Sequence, residues 1–132
     1  MKAIPSSVTQ SLTTRSVIRC ADNSGAKWLE VIAVKGFRGR RRMKPSCGVG
    51  SFVFCKVRSG NEKVRHQVLK AVIIRQTKEY RRSEGLRISF EDNAAVIISD
   101  KGEATGSIIK GPVAREAVQR FPTIGKIASI VV

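Results

Sequence analysis

The chain has 132 residues, which suits one compact domain and is short for two. Hydrophobic residues make up 42%, enough to bury a core and too many for a disordered tract. No apolar run approaches the roughly 18 residues that a membrane helix needs, and 25 Lys or Arg against 10 Asp or Glu leave a net charge of +15 that calls for an acidic partner.

Residues 1–14 (MKAIPSSVTQSLTT) are rich in Ser and Thr, contain Pro5 and lack the apolar stretch of a secretory leader. They read as a loosely attached arm. Residues 16–21 predict a short strand, closed by the turn formers Asp22-Asn23-Ser24-Gly25. Residues 27–35 (KWLEVIAVK), largely apolar and β-branched, predict a second strand that runs into a basic loop. Residues 51–58 (SFVFCKVR) and 67–76 (QVLKAVIIRQ) predict two more. Residues 77–87, with Gly85 in a tight turn, predict a hairpin projecting from the body. Further strands are expected at 86–90, 94–99 and 107–110. Short strands at regular spacing, broken by glycine turns, indicate a small closed or nearly closed β-barrel.

Helical character appears only at residues 112–121 (PVAREAVQRF). Pro112 suits a first helical position, Val113, Ala117, Val118 and Phe121 share a face, and Pro122 stops the segment. Residues 123–132 fit either a helix or a last strand. The whole is one domain: an arm at 1–14, barrel and ribbon at 15–110, and a C-terminal helical part at 111–132.

The strongest chemical signal is residues 35–44, KGFRGRRRMK, where six of ten side chains are cationic and none is acidic. Arg38, Arg40, Arg41, Arg42 and Lys44 suit several phosphates at once, because guanidinium forks match phosphate geometry. Lys78, Arg81 and Arg82 on the hairpin form a second set, with Tyr80 as a stacking partner or as hairpin packing. The excess charge is confined: residues 1–87 carry 20 cations against 5 acids, residues 88–132 five against five. This separates a polyanion-binding region from a neutral part suited to protein contact. Trp28, Phe52, Phe54, Phe90 and Phe121 fall on separate elements and read as core anchors.

Cys20, Cys47 and Cys55 form no CxxC pair and His66 stands alone, so the residues favour free, buried thiols in a reducing compartment over a zinc site. Asp22-Asn23 and Glu91-Asp92-Asn93 occupy turns with no carboxylate or histidine to complete an acid–base site. No catalytic residue, metal or cofactor is predicted.

Five motifs, in order, carry a resemblance: CADNSGAK at 20–27, GVGS at 48–51, FEDNAAVII at 90–98, KGE at 101–103 and GPVAREA at 111–117. With AVII at 71–74, they resemble the universal large-subunit ribosomal protein fourteen family, over essentially the whole chain from Val17. Glu84 departs from the family's usual Asp, Asn or Ser. The stretch from Ile74 to Arg82, the GPVAREA motif and the longer arm are more similar to the archaeal and eukaryotic branch. The resemblance implies a mainly β fold, a five-stranded barrel with a projecting ribbon and a C-terminal helical segment. It also implies a non-enzymatic, cytoplasmic constituent of the large ribosomal subunit. Implied partners are large-subunit ribosomal RNA, small-subunit ribosomal RNA at bridges, neighbouring large-subunit proteins and an anti-association factor, with no membrane. Carried onto this chain, the RNA-binding set is Lys35, Arg38, Arg40, Arg41, Arg42 and Lys44, then Lys78, Arg81 and Arg82. The protein-facing set is Arg115, Gln119, Arg120 and Phe121. A free-standing RNA-binding barrel is the alternative, and it would want an aromatic platform on the sheet.

Overall fold

The computed structural model describes residues Met1–Val132. Eleven strands and two helices follow in order: β1 Leu12–Thr13, β2 Val17–Cys20, β3 Ala26–Val34, β4 Ser46–Cys47, β5 Phe52–Gly60, β6 Val68–Arg75, β7 Tyr80–Arg81, β8 Arg87–Ile88, β9 Ala94–Ile98, β10 Ile109–Val113, α1 Arg115–Arg120, α2 Pro122–Ile127 and β11 Ala128–Val131. Five of them, in the order β2-β3-β5-β6-β9, close into a barrel. Four neighbouring pairs run antiparallel, and β9 returns parallel to β2 through Arg19↔Ala94 to shut the ring. Closure leaves this sheet no free edge.

Periodicity explains which strands lie where. In β3 and β5, buried Leu29, Val31, Cys55 and Val57 are interleaved with exposed Ile32, Lys56 and Arg58, so only one face meets the core. The runs AVII and AAVII do not alternate, because β6 and β9 are covered on both faces. Ala71, Ile73, Ala95 and Ile97 fill the barrel with Ile18, Leu29 and Val53. Val72, Ile74, Val96 and Ile98 point outward into a second core made with Ile109, Val113, Ala117, Phe121 and Ile124. The C-terminal part is thus a lid packed on the barrel wall.

Three local expectations are corrected. Pro112 does not open a helix; it lies in β10, opposite Ile130 of β11 in a parallel two-stranded sheet. Such a strand accepts a residue without an N–H, and α1 begins only after Ala114. Pro122 does stop α1, as expected, and it also occupies the first turn of α2. The residues after it form both α2 and β11. The N-terminal arm is also tied down: β1 pairs with β4, the Gln76 amide donates to the Thr9 carbonyl at 2.9 Å, and Lys2 N–H donates to the Arg120 carbonyl at 3.3 Å.

β7 and β8 pair through Tyr80↔Ile88 and Arg81↔Arg87, with Gly85 at φ +90° in the turn. No helix is long and apolar enough to cross a membrane.

Candidate nucleic-acid interface

The basic loop leaves the barrel between β3 and β4. Its root is fixed: Lys35 N–H donates to the Phe52 carbonyl at 2.9 Å, and Lys35 Nζ stands 4.5 Å from the Phe52 ring centroid. Phe37 is half-buried and folds over Gly39, where a Cβ would stand 2.3 Å from the ring, so a larger residue there would push the ring aside. Met43 N–H donates to the Arg40 carbonyl at 3.1 Å, closing a turn with Arg41 and Arg42 at its tip. Arg42 takes φ +71°, an unfavourable region for a side chain of its size.

Lys35, Arg38, Arg40, Arg41, Arg42 and Lys44 are all exposed. None takes part in the five ion pairs, which use Lys70, Arg75, Arg82, Arg87 and Arg115. Six cations therefore converge on one short loop with their charge uncompensated. An arrangement of this kind attracts phosphates by releasing the counterions that shield them.

The ribbon set divides. Lys78 and Arg81 are exposed and without an acidic partner. Arg82 is buried: its Nε donates to Glu116 Oε1 at 2.7 Å, and its Nη2 donates to Glu116 Oε2 at 3.2 Å and to the Val132 carbonyl at 2.6 Å. Tyr80 is also buried, its hydroxyl donating to Glu116 Oε2 at 2.7 Å. Glu116 thus pins the ribbon, α1 and the last strand together, and Ser6 of the arm adds a contact at 3.3 Å. Burial pushes the Glu116 carboxyl up, but the hydrogen bonds from Arg82 and Tyr80 outweigh it and hold the group below its ordinary value. Burial also raises Tyr80. A guanidinium spent on these bonds is not free for RNA, and the buried phenol is not free to stack.

The C-terminal set divides in the same way. Arg115 is exposed and pairs with Glu84 of the ribbon at 3.3 Å, and Gln119 is exposed. Arg120 is half-buried and turns toward the groove lined by Lys35, Phe37 and Arg38. Phe121 is core, its ring centroid 6.3 Å from that of Phe52.

Several motifs prove architectural. One Asp22 oxygen accepts from Ser24 N–H at 3.1 Å and the other from Ile97 N–H at 2.8 Å, tying the first turn to β9. The Asn23 side chain accepts from Ser107 N–H at 2.9 Å. Gln76 Oε1 accepts from Val49 N–H at 2.9 Å, and a Cβ at Gly48 would meet that same oxygen at 2.8 Å. Arg75 bonds Asp92 twice, at 2.8 and 3.2 Å, and donates to the carbonyls of Lys110 and Pro112 at 3.0 and 2.8 Å. Gly111 lies against it at φ +83°, where a Cβ would come within 2.8 Å of the guanidinium. The free cysteines are buried, and burial raises Cys20 and Cys55 to about 12 and Cys47 to about 11. No group of three or more His, Cys, Asp or Glu is placed to hold a metal.

The family model of ribosomal protein L14p/L23e matches residues 11–132. The chain belongs to that family. It is 51% identical over 131 residues to large ribosomal subunit protein uL14 of Methanococcus vannielii, covering 99% of both chains. It is 46% identical over 132 residues to the protein of the same name from Halobacterium salinarum, covering all of both. Both relatives are archaeal, in keeping with the branch expected from the motifs. Family membership makes the chain a structural, non-enzymatic constituent of the cytoplasmic large ribosomal subunit.

The reasoning from residues alone missed the Glu116 hub and the role of Arg75. Both depend on partners far apart in sequence (Glu116 lies 34 residues from Arg82). No local spacing signals such a pair.

Proposed function

We propose that the chain binds large-subunit ribosomal RNA through Lys35, Arg38, Arg40, Arg41, Arg42 and Lys44, with Lys78 and Arg81 of the ribbon as a second contact. The observation that carries this reading is the exposed loop of six cations without one acidic neighbour. The contacts are to phosphate and sugar, so the RNA is selected by the shape it presents rather than by its base sequence. Arg120 belongs with this set, since it faces the groove at the loop's root.

A second surface serves protein contact. Arg115, Gln119 and the exposed residues of β11 and its neighbour, Ile130, Val131 and Val132, offer an apolar edge beside a balanced charge. We assign to this end the neighbouring large-subunit proteins and an anti-association factor, and to the assembled particle a contribution to bridges with small-subunit ribosomal RNA. The chain works by positioning, and no chemistry is required of it.

Sedimentation of a cell lysate through sucrose tests the reading. The chain is expected to travel with the large subunit and the joined ribosome and to stay there through moderate salt. Accumulation in light fractions free of ribosomal RNA would favour the free-standing RNA-binding barrel instead.

A further inference from the structure

Trp28 is not the core anchor that its apolar neighbours suggest; it is 47% exposed on the outer wall of the barrel. Leu29 and Val31 point into the barrel, so by ordinary alternation Trp28 points out. The ladder between β3 and β5 also shifts register on both sides of Trp28, which leaves Lys27 outside as well. Lys27 and Trp28, consecutive in the chain, both face solvent. Arg19 of β2 lies directly across from Trp28 on one side and Ser59 of β5 on the other.

Beside the indole runs an open groove of about 630 Å³, lined by Arg19, Lys27, Trp28, Arg75, Lys110 and Asp22 among others. That volume lies within the range of small-ligand sites, about 300 to 1,000 Å³. Its charges are not equal. Asp22 spends both oxygens on Ser24 and Ile97, and Arg75 is bound to Asp92. Arg19, Lys27 and Lys110 remain exposed and enter no ion pair. An exposed indole ringed by three free cations is a poor seat for a protein anchor, which would have to desolvate all three. It suits an unpaired nucleotide, whose base has a face to stack and whose phosphates neutralise the ring of charge.

We propose that the groove beside Trp28 is a second RNA site. It takes a single-stranded nucleotide whose base stacks on the indole, with Arg19, Lys27 and Lys110 holding the flanking phosphates. The site rests on the RNA-binding reading above but is separate from the basic loop. It supplies on the sheet the aromatic platform that the residues alone did not reveal.

Trp28 is the only tryptophan of the chain, so its emission reports this site alone. The full chain is titrated with a single-stranded oligouridylate while indole emission is followed. Anisotropy of a labelled copy of the same RNA records binding anywhere on the surface. Saturable quenching is expected, and it persists when Arg40, Arg41 and Arg42 are replaced by alanine. In that background Trp28→Ala weakens binding roughly fivefold to a hundredfold, whereas Trp28→Phe retains most of it. An anisotropy rise without quenching would overturn the groove and leave the loop reading standing. No change in either signal would overturn both. Equal quenching by polyglutamate, which has no ring to stack, would also overturn the stacking site.

Discussion

Replacing Glu116 by alanine is expected to destabilise the folded chain by about 3–5 kcal/mol, the range for removing one partner of a buried ion pair. The carboxylate is nearly sealed from water, its side chain 3% exposed and that of Arg82 7% exposed. Without it the Arg82 guanidinium keeps only the Val132 carbonyl, and the Tyr80 hydroxyl loses its acceptor. Two buried donors are then orphaned at once, and the loss exceeds that of an ordinary hydrogen bond. The urea midpoint reads the effect. Because Glu116 and Arg82 act as a unit, replacing both is expected to cost less than the sum of the single changes.

The same group predicts an acid limb. Glu116 is held below its ordinary carboxyl value in the folded chain. Its contribution is therefore full above the unfolded value, near 4.3 for a free glutamate, and is lost as pH falls through the lower folded value. Glu116→Gln is expected to flatten that part of the stability–pH curve, checked by urea unfolding at a series of acid pH values. An unchanged curve would show that the carboxylate does not ionise in the fold.

The second large effect concerns binding rather than folding. Replacing Arg40, Arg41 and Arg42 together with alanine is expected to lower RNA affinity about a hundredfold at physiological salt. Each phosphate contact contributes roughly 0.7 to 0.9 to the slope of log affinity against log salt, so the slope falls by about two to three. Stability should hardly move, since all three side chains are exposed and unpaired. A lysine triple variant separates charge from shape: the slope survives, and any further loss measures the guanidinium fork. Filter binding across a salt series, paired with thermal unfolding, checks both halves.

Much of the architecture was legible because it is local. Turn formers at Asp22–Gly25 and Gly85, and the strand runs between them, mark the elements to within a residue or two of where they lie. The barrel strands β3 and β5 alternate as a one-sided sheet should. What escaped depends on the tertiary environment. Pro112 has the chemistry of a helix start, yet Arg75 captures its carbonyl and β11 pairs beside it, so the chain stays extended. Arg82 has the character of a surface residue in a basic stretch, but the Glu116 hub draws it inward. Phe121 is the core anchor its apolar face suggested, packed in the lid over β6 and β9, and not the protein-facing residue the resemblance implied. Trp28 went the other way: it alternates with the inward Leu29 and Val31 and so stands on the outer wall of the barrel. The basic loop was readable from residues alone for a simple reason. Six cations without acids cannot be buried, whatever surrounds them.

The most direct test of the account is arginine accessibility in the assembled particle. Large subunits and the isolated chain are treated with phenylglyoxal, and modification is read residue by residue by mass spectrometry. Arg38, Arg40, Arg41 and Arg42 are expected to react in the free chain, to be protected in the subunit and to react again after ribonuclease digestion. If they stay as reactive in the subunit as in the free chain, the loop does not hold RNA and serves only to keep the protein soluble.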